Sequence, residues 1–174
     1  APQDLPGLLS VVAQRVGAPT GIVAGQAWEC EPFVGLAAYH RAKTGALFAA
    51  ATMGGALAAG GEAEPWRALG ERLGEAYQVA DDIRDVIAEP QAIGKPTGQD
   101  VAHGRPSSAT EFGLDGALRQ FDALVRGCIE AIPDCRGANA LRALVRAEAR
   151  RLVPLEMTTA HAARSPALLQ EALR

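Results

Sequence analysis

The chain has 174 residues, a net charge of −3, and 48% hydrophobic against 21% charged residues, which fits one folded domain over residues 1–174 and excludes a disordered chain or a large multidomain protein. Only 5% of the residues are aromatic while 36 are alanine, the strongest helix former and a poor strand former, so a β-sandwich is excluded and an all-α domain is predicted. The acidic balance, with a pI near 5.6, argues against nucleic acid as a partner.

The first residues, APQDLPGLL, carry neither an initiator methionine nor a charged leader region. Cys30, Cys128 and Cys135 show no metal-ligand spacing. Reduced cytoplasmic thiols in a processed or truncated chain are expected. Leu8 to Val16 reads as a short helix, and Gly17, Pro19, Gly21 and Gly25 predict a break after it. Leu36 to Ala59 is a long helical candidate stopped by Gly60-Gly61. Its apolar run, Ala46 to Gly60, is shorter than the roughly 20 residues that span a bilayer, so a buried helix and no membrane span are expected. Pro65 then opens a helix from Trp66 to Ala88, which ends before Pro90. Residues 91–108 hold Gly94, Pro96, Gly98, Gly104 and Pro106 and read as a long loop. Two further helices are predicted, Gly113 to Ile132 and Gly137 to Val153, with Pro154 ending the last, and a short or frayed helix from Ala160.

On a helical wheel, Trp66, Leu69, Leu73, Ala80, Ile83 and Ile87 form one apolar stripe. Gln78, Asp81, Asp82 and Asp85 fall together in an arc almost opposite, with Gly74 one turn earlier, where something could approach the backbone closely. Carboxylates at i, i+4 repel by about 0.2–0.5 kcal/mol each on an exposed helix. Arg84 is expected to point toward the apolar stripe and give no relief. A hard divalent cation such as Mg²⁺ would reverse the sign, since it prefers carboxylate oxygens and often bridges to phosphate; the bland alternative is a solvated acidic face. Among 17 basic residues only two are lysine, Lys43 and Lys95. Lys95 sits in the glycine-flanked run Gly94 to Asp100, and Lys43 lies mid-helix among Ala42, Gly45 and Ala46. Both could serve as phosphate-binding cations; the bland reading of Lys43 is a surface lysine that snorkels off its helix. His40, His103 and His161 show no ligand spacing and read as surface or packing residues, and Cys128 and Cys135 as structural.

The run Gly74 to Asp85, GEAYQVADDIRD, resembles the second aspartate-rich motif of trans-isoprenyl diphosphate synthases. Gly94 to Asp100 resembles the GKxxGxD segment that follows it, Lys43-Thr44 the KT pair, and Gly25-Gln26 the GQ of the preceding helix. The flavour is similar to bacterial geranylgeranyl diphosphate synthases. The resemblance implies an isoprenoid synthase-type helical bundle, usually a homodimer. It implies Mg²⁺-dependent transfer of an allylic diphosphate's prenyl group to isopentenyl diphosphate. By the match, Asp81, Asp82 and Asp85 are metal ligands, Asp81 first among them. Lys43 and Lys95 hold the allylic diphosphate, Gln78 bonds it or a metal-bound water, and Thr44, Tyr77 and Gln26 line the substrate cavity.

Tyr77 stands where phenylalanine is commoner, Glu29 where aspartate is common and Arg105 where lysine is frequent. The resemblance covers the C-terminal half of such a synthase. The family's first aspartate-rich motif is missing, for Asp81-Asp82 is the chain's single Asp-Asp pair. A C-terminal fragment with an apolar face of the alanine-rich helix uncovered, inactive alone, is therefore expected. The alternatives are a non-catalytic partner subunit of a complete synthase and a terpene cyclase. The latter fits the GKxxGxD and KT segments less well.

Overall fold

The computed structural model describes residues 4–31, 35–87 and 107–154. The loop carrying Lys95, together with His103, Arg105, His161 and the expected tail helix, lies outside them. Among the described residues all regular structure is helical. Helix α1 spans Leu5–Val16, with Pro6 in its first turn and the Asp4 carboxylate accepting from the Gly7 N–H at 3.3 Å. Helix α2, Ile22–Trp28, follows the predicted break. The long helix expected from Leu36 is present in three parts: α3 (Leu36–His40), a π-helical turn (Arg41–Gly45) and α4 (Ala46–Ala58). A 3₁₀ turn, Glu64–Trp66, leads into α5, Arg67–Ile87. The last two helices are α6, Ser108–Glu130, and α7, Ala138–Leu152.

Helix α6 begins five residues before the predicted Gly113. The Ser107 hydroxyl caps it by accepting from the Thr110 N–H at 3.2 Å. Gly113 is the kink inside the helix, at φ +68°, a left-handed angle that glycine adopts without steric cost. A glycine therefore looked like a helix start where a serine cap had already supplied one.

Helix α5 is the centre of the packing, with α6, α4 and the π turn around it. Val79, Ala80 and Ile83 are fully buried against Ala117 and Phe121 of α6. Farther back, Leu69 meets Cys128, Ile132 and Ala138, with Trp66 and Leu73 at the margin. The predicted apolar stripe is thus the core face. Burying a side chain such as Ile83 contributes roughly 1.5–3 kcal/mol. Polar ties fix the register between layers. Thr52 Oγ1 donates to the Trp66 carbonyl at 2.9 Å, Arg72 Nη1 to the Gly127 carbonyl at 2.7 Å, and Arg15 pairs with Glu71 at 3.2 Å.

Among the described residues two apolar surfaces stand open. Leu5, Leu9, Val12 and Val16 line one side of α1 and are all exposed. An open groove of about 630 Å³ runs between α4, α5, α6 and α7, walled by Ala51, Gly55, Trp66, Leu73, Leu144 and Val145 among others. No helix of the described residues is long and apolar enough to cross a membrane.

Candidate functional site

The π turn Arg41–Gly45 carries Lys43 and Thr44, and two glycines let neighbouring helices reach its backbone. A Cβ at Gly25 of α2 would overlap Lys43 N and Cα, and one at Gly74 of α5 would overlap Gly45 Cα. The close approach expected at Gly74 is therefore helix on helix. It brings the KT pair against the acidic end of α5, because only hydrogen atoms separate the backbones at the crossing. A widened turn of this kind is uncommon inside an α-helix and concentrates at functional positions.

Across that crossing runs a continuous line of polar contacts. Thr44 Oγ1 donates to Gln78 Oε1 at 3.1 Å, and Gln78 Nε2 donates to Asp82 Oδ1 at 3.0 Å. Asp82 Oδ2 accepts from the Ser108 backbone N–H at 2.7 Å. Three chain segments, the π turn, α5 and the start of α6, meet on one carboxylate. His40 closes the cluster, with Nε2 3.7 Å from Asp82 Oδ2.

The bland alternative, a solvated acidic face, does not describe this end of α5. Asp82 and Asp85 are buried, at 2% and 5% exposure, and Asp81 is only partly exposed. The wheel treated the side opposite the core stripe as outside, but α3, the π turn and the N-terminus of α6 pack there. Arg84, expected over the apolar stripe, instead pairs with Asp81 at 3.1 Å. An arginine side chain is long enough to travel around the helix to an i−3 carboxylate.

Lys43 is not a free surface lysine. Its Nζ pairs with Glu29 and lies 2.6 Å from the Tyr39 hydroxyl, which in turn donates to Glu29 Oε1 at 2.9 Å. Burial works to lower the Lys43 pKa, but the hydrogen bonds to Glu29 and Tyr39 outweigh it and the pKa is raised, so the cation is secure. Burial likewise raises the Tyr39 phenol, against a smaller pull from Lys43, and keeps it a donor. Gln26 is exposed and donates to Glu29 Oε2 at 3.3 Å. Tyr77 points toward the apolar groove, its ring 5.6 Å from that of Phe48.

His40 is fully buried, which selects packing over surface in its surface-or-packing reading. Burial, with Lys43 nearby, lowers its pKa to about 4, so the ring is neutral despite its distance from Asp82. Among the described residues neither ring nitrogen has a hydrogen-bond partner, nor has the buried Ser108 hydroxyl. His40 and Ser108 are the residues that sequence reasoning missed. His40 immediately follows Tyr39 and stands three before Lys43, the one signal that could have marked it; Ser108 had none, since its contact spans 26 positions.

A divalent cation of the Mg²⁺ type needs several oxygen ligands. Among the described residues no group of three His, Cys, Asp or Glu side chains is gathered closely enough to hold one. Asp81 is partly exposed, and Asp82 is turned inward onto Gln78 and Ser108.

Comparison with known proteins gives a consistent picture. The sequence model described as polyprenyl synthetase matches residues 10–137. The chain is 50% identical over 156 residues to a geranylgeranyl diphosphate synthase of Cereibacter sphaeroides, covering 90% of this chain and 54% of that protein. It is 49% identical over 148 residues to the enzyme of that name in Rhodobacter capsulatus, covering 85% and 51%. The chain thus spans about half the length of the curated relatives it matches. Among solved structures, the geranylgeranyl pyrophosphate synthetase of Pyrococcus horikoshii superposes with a TM-score of 0.65 at 22% identity, over 84% of this chain and 59% of that one. The Helicobacter pylori geranyltransferase, crystallised with magnesium and isoprenyl diphosphate, gives 0.64 at 25% identity, over 86% and 50%.

Proposed function

Because the chain belongs to the polyprenyl synthetase family, we propose that it supplies the second aspartate-rich wall of a short-chain prenyl diphosphate synthase, which joins isopentenyl diphosphate to an allylic diphosphate such as that leading to a geranylgeranyl product. The observation that carries this is the contact between the two motifs. Thr44 of the KT pair donates directly to Gln78, one helical turn before Asp82 and beside Asp81.

Each side chain has a defined task in this scheme. Asp81 holds Mg²⁺, whose chemistry when bound is charge stabilisation of the departing diphosphate. Lys43, kept protonated by Glu29 and Tyr39, places a fixed positive charge beside the π turn for the allylic diphosphate. Lys95, outside the described residues, is assigned to the same anion. Gln78 bonds to it through an amide N–H, and Tyr77 and Thr44 border the space for the substrate. Asp82 and Asp85 hold the wall together from within, and Gln26 orients Glu29. The opposing metal-binding wall comes from a first aspartate-rich motif that this sequence does not contain, and a homodimer is the assembly proposed.

Incubation with isopentenyl diphosphate, an allylic diphosphate and Mg²⁺ tests the scheme, with the chain alone and with a polypeptide that carries a first aspartate-rich motif. A longer prenyl diphosphate sustains it, and Asp81→Ala then lowers turnover by about a hundredfold or more without unfolding the protein. Release of a hydrocarbon would move the chain to the cyclases. No product, with tight binding to a complete synthase, would make it a modulating subunit.

A further inference from the structure

We infer that Asp82 is a positioning residue that sets the direction of a hydrogen-bond line, and that it thereby decides which atoms of Gln78 and Thr44 can meet an anion. The direction follows from the one fixed member, the Ser108 backbone N–H, which can only donate. It donates to Asp82 Oδ2 at 2.7 Å. The other oxygen, Oδ1, faces the Gln78 amide at 3.0 Å, and a carboxylate oxygen accepts from the NH₂ side and repels the carbonyl side. The Gln78 nitrogen is therefore turned toward Asp82 and its oxygen toward Thr44. The Thr44 hydroxyl, 3.1 Å from that oxygen, has to donate.

The consequence is chemical. Thr44 spends its hydrogen on Gln78 and offers only lone pairs to a ligand, so it cannot donate to a phosphate oxygen. Gln78 keeps a second N–H on Nε2, with no partner among the described residues, and that is the donor an anion meets. The choice of diphosphate as ligand rests on the prenyl-transfer proposal; the direction of the line does not.

Asp82→Asn reverses the line while keeping its bonds. The Ser108 N–H must still meet an oxygen, so the new NH₂ faces Gln78. The Gln78 amide turns over, and Thr44 becomes an acceptor from it with its own hydrogen released. Two measurements decide the matter. In ¹⁵N-labelled protein, with the Gln78 side-chain amide identified by its loss in Gln78→Leu, one amide proton is expected downfield and protected from exchange, and Asp82→Asn is expected to abolish this. An amide indistinguishable from an exposed glutamine, or unchanged in Asp82→Asn, would overturn the inference. Titration with inorganic diphosphate and Mg²⁺ is expected to show about tenfold weaker binding in Gln78→Leu and in Asp82→Asn, with the double variant no weaker than Gln78→Leu alone. A further loss when Asp82→Asn is added to Gln78→Leu would make Asp82 a direct ligand and overturn the positioning role. No diphosphate binding by the natural chain would count against the proposed function, while the amide spectrum would still decide the direction of the line.

Discussion

In its first half, α5 buries Leu69, leans Leu73 against α6 and α7, and borders an open apolar groove. In its second half the same helix buries Asp82 and Asp85 and ties Gln78 to a neighbouring turn. The first half is held by area, where contacts are individually weak and forgiving. The second half buries Val79, Ala80 and Ile83 in the same way and adds, on its other side, matched pairs, where losing one partner leaves another buried group unsatisfied. One helix therefore carries two kinds of sensitivity. Damage to the first half should cost stability in proportion to volume lost, and damage to the second should cost specific atoms their function.

The largest effect is expected where the halves join. Gly74→Ala places a Cβ onto Gly45 Cα, backbone against backbone, where no side chain can move aside. A loss of over about 3 kcal/mol is expected in chemical denaturation, because the two helices must separate. A near-normal midpoint would show that the crossing is soft and that the halves are not mechanically coupled. Leu69→Ala should cost about 3 kcal/mol, with no change in the Gln78 amide spectrum. A change there would erase the distinction between the halves.

His40 gives the second half a pH signature. Its folded pKa is depressed to about 4 from 6.5. Above pH 6.5 the ring is neutral in both folded and unfolded chains and makes no difference. As pH falls from 6.5 to 4 the unfolded chain takes up a proton that the folded one refuses, and stability is lost, by roughly 2–3 kcal/mol at the end of that window. Denaturant midpoints measured across the window should fall for the natural chain and flatten in His40→Gln; equal slopes would remove His40 from the account. The smallest effect is expected at Arg84→Gln, which breaks the partly exposed pair with Asp81 and should cost less than about 1 kcal/mol. A larger loss would mean that the acidic end depends on that cation for folding.

The helical class, the apolar stripe of α5 and the bounds of α5 and α7 were legible because periodicity and proline punctuation are local signals. So were the KT pair and the Asp81-Asp82 motif, through their resemblance to a known family. The burial of Asp82 was not legible. A wheel knows one partner surface, and Asp82 is buried by a second, formed by His40, Thr44 and Ser108, at separations of 42, 38 and 26 positions. Glu29 was equally hidden as a partner of Lys43, since that contact depends on how α2 crosses the π turn. The serine cap of α6 was masked by Gly113, whose kink carries the stronger turn signal.

The π turn has a consequence for how this part of the chain can change. A π turn holds roughly one residue more than an α turn, and each residue of a helix accounts for about 100° of rotation. The two ends of the long helix are thus phased independently, with Tyr39 and His40 aimed by one register and Ala49 and Met53 by another. Deleting one residue between Arg41 and Gly45 would merge the registers and swing one end by about a quarter turn relative to the other. The face that packs on α5 and the face that meets Glu29 and Asp82 could not then both be kept, so insertions and deletions should be far less tolerated here than substitutions.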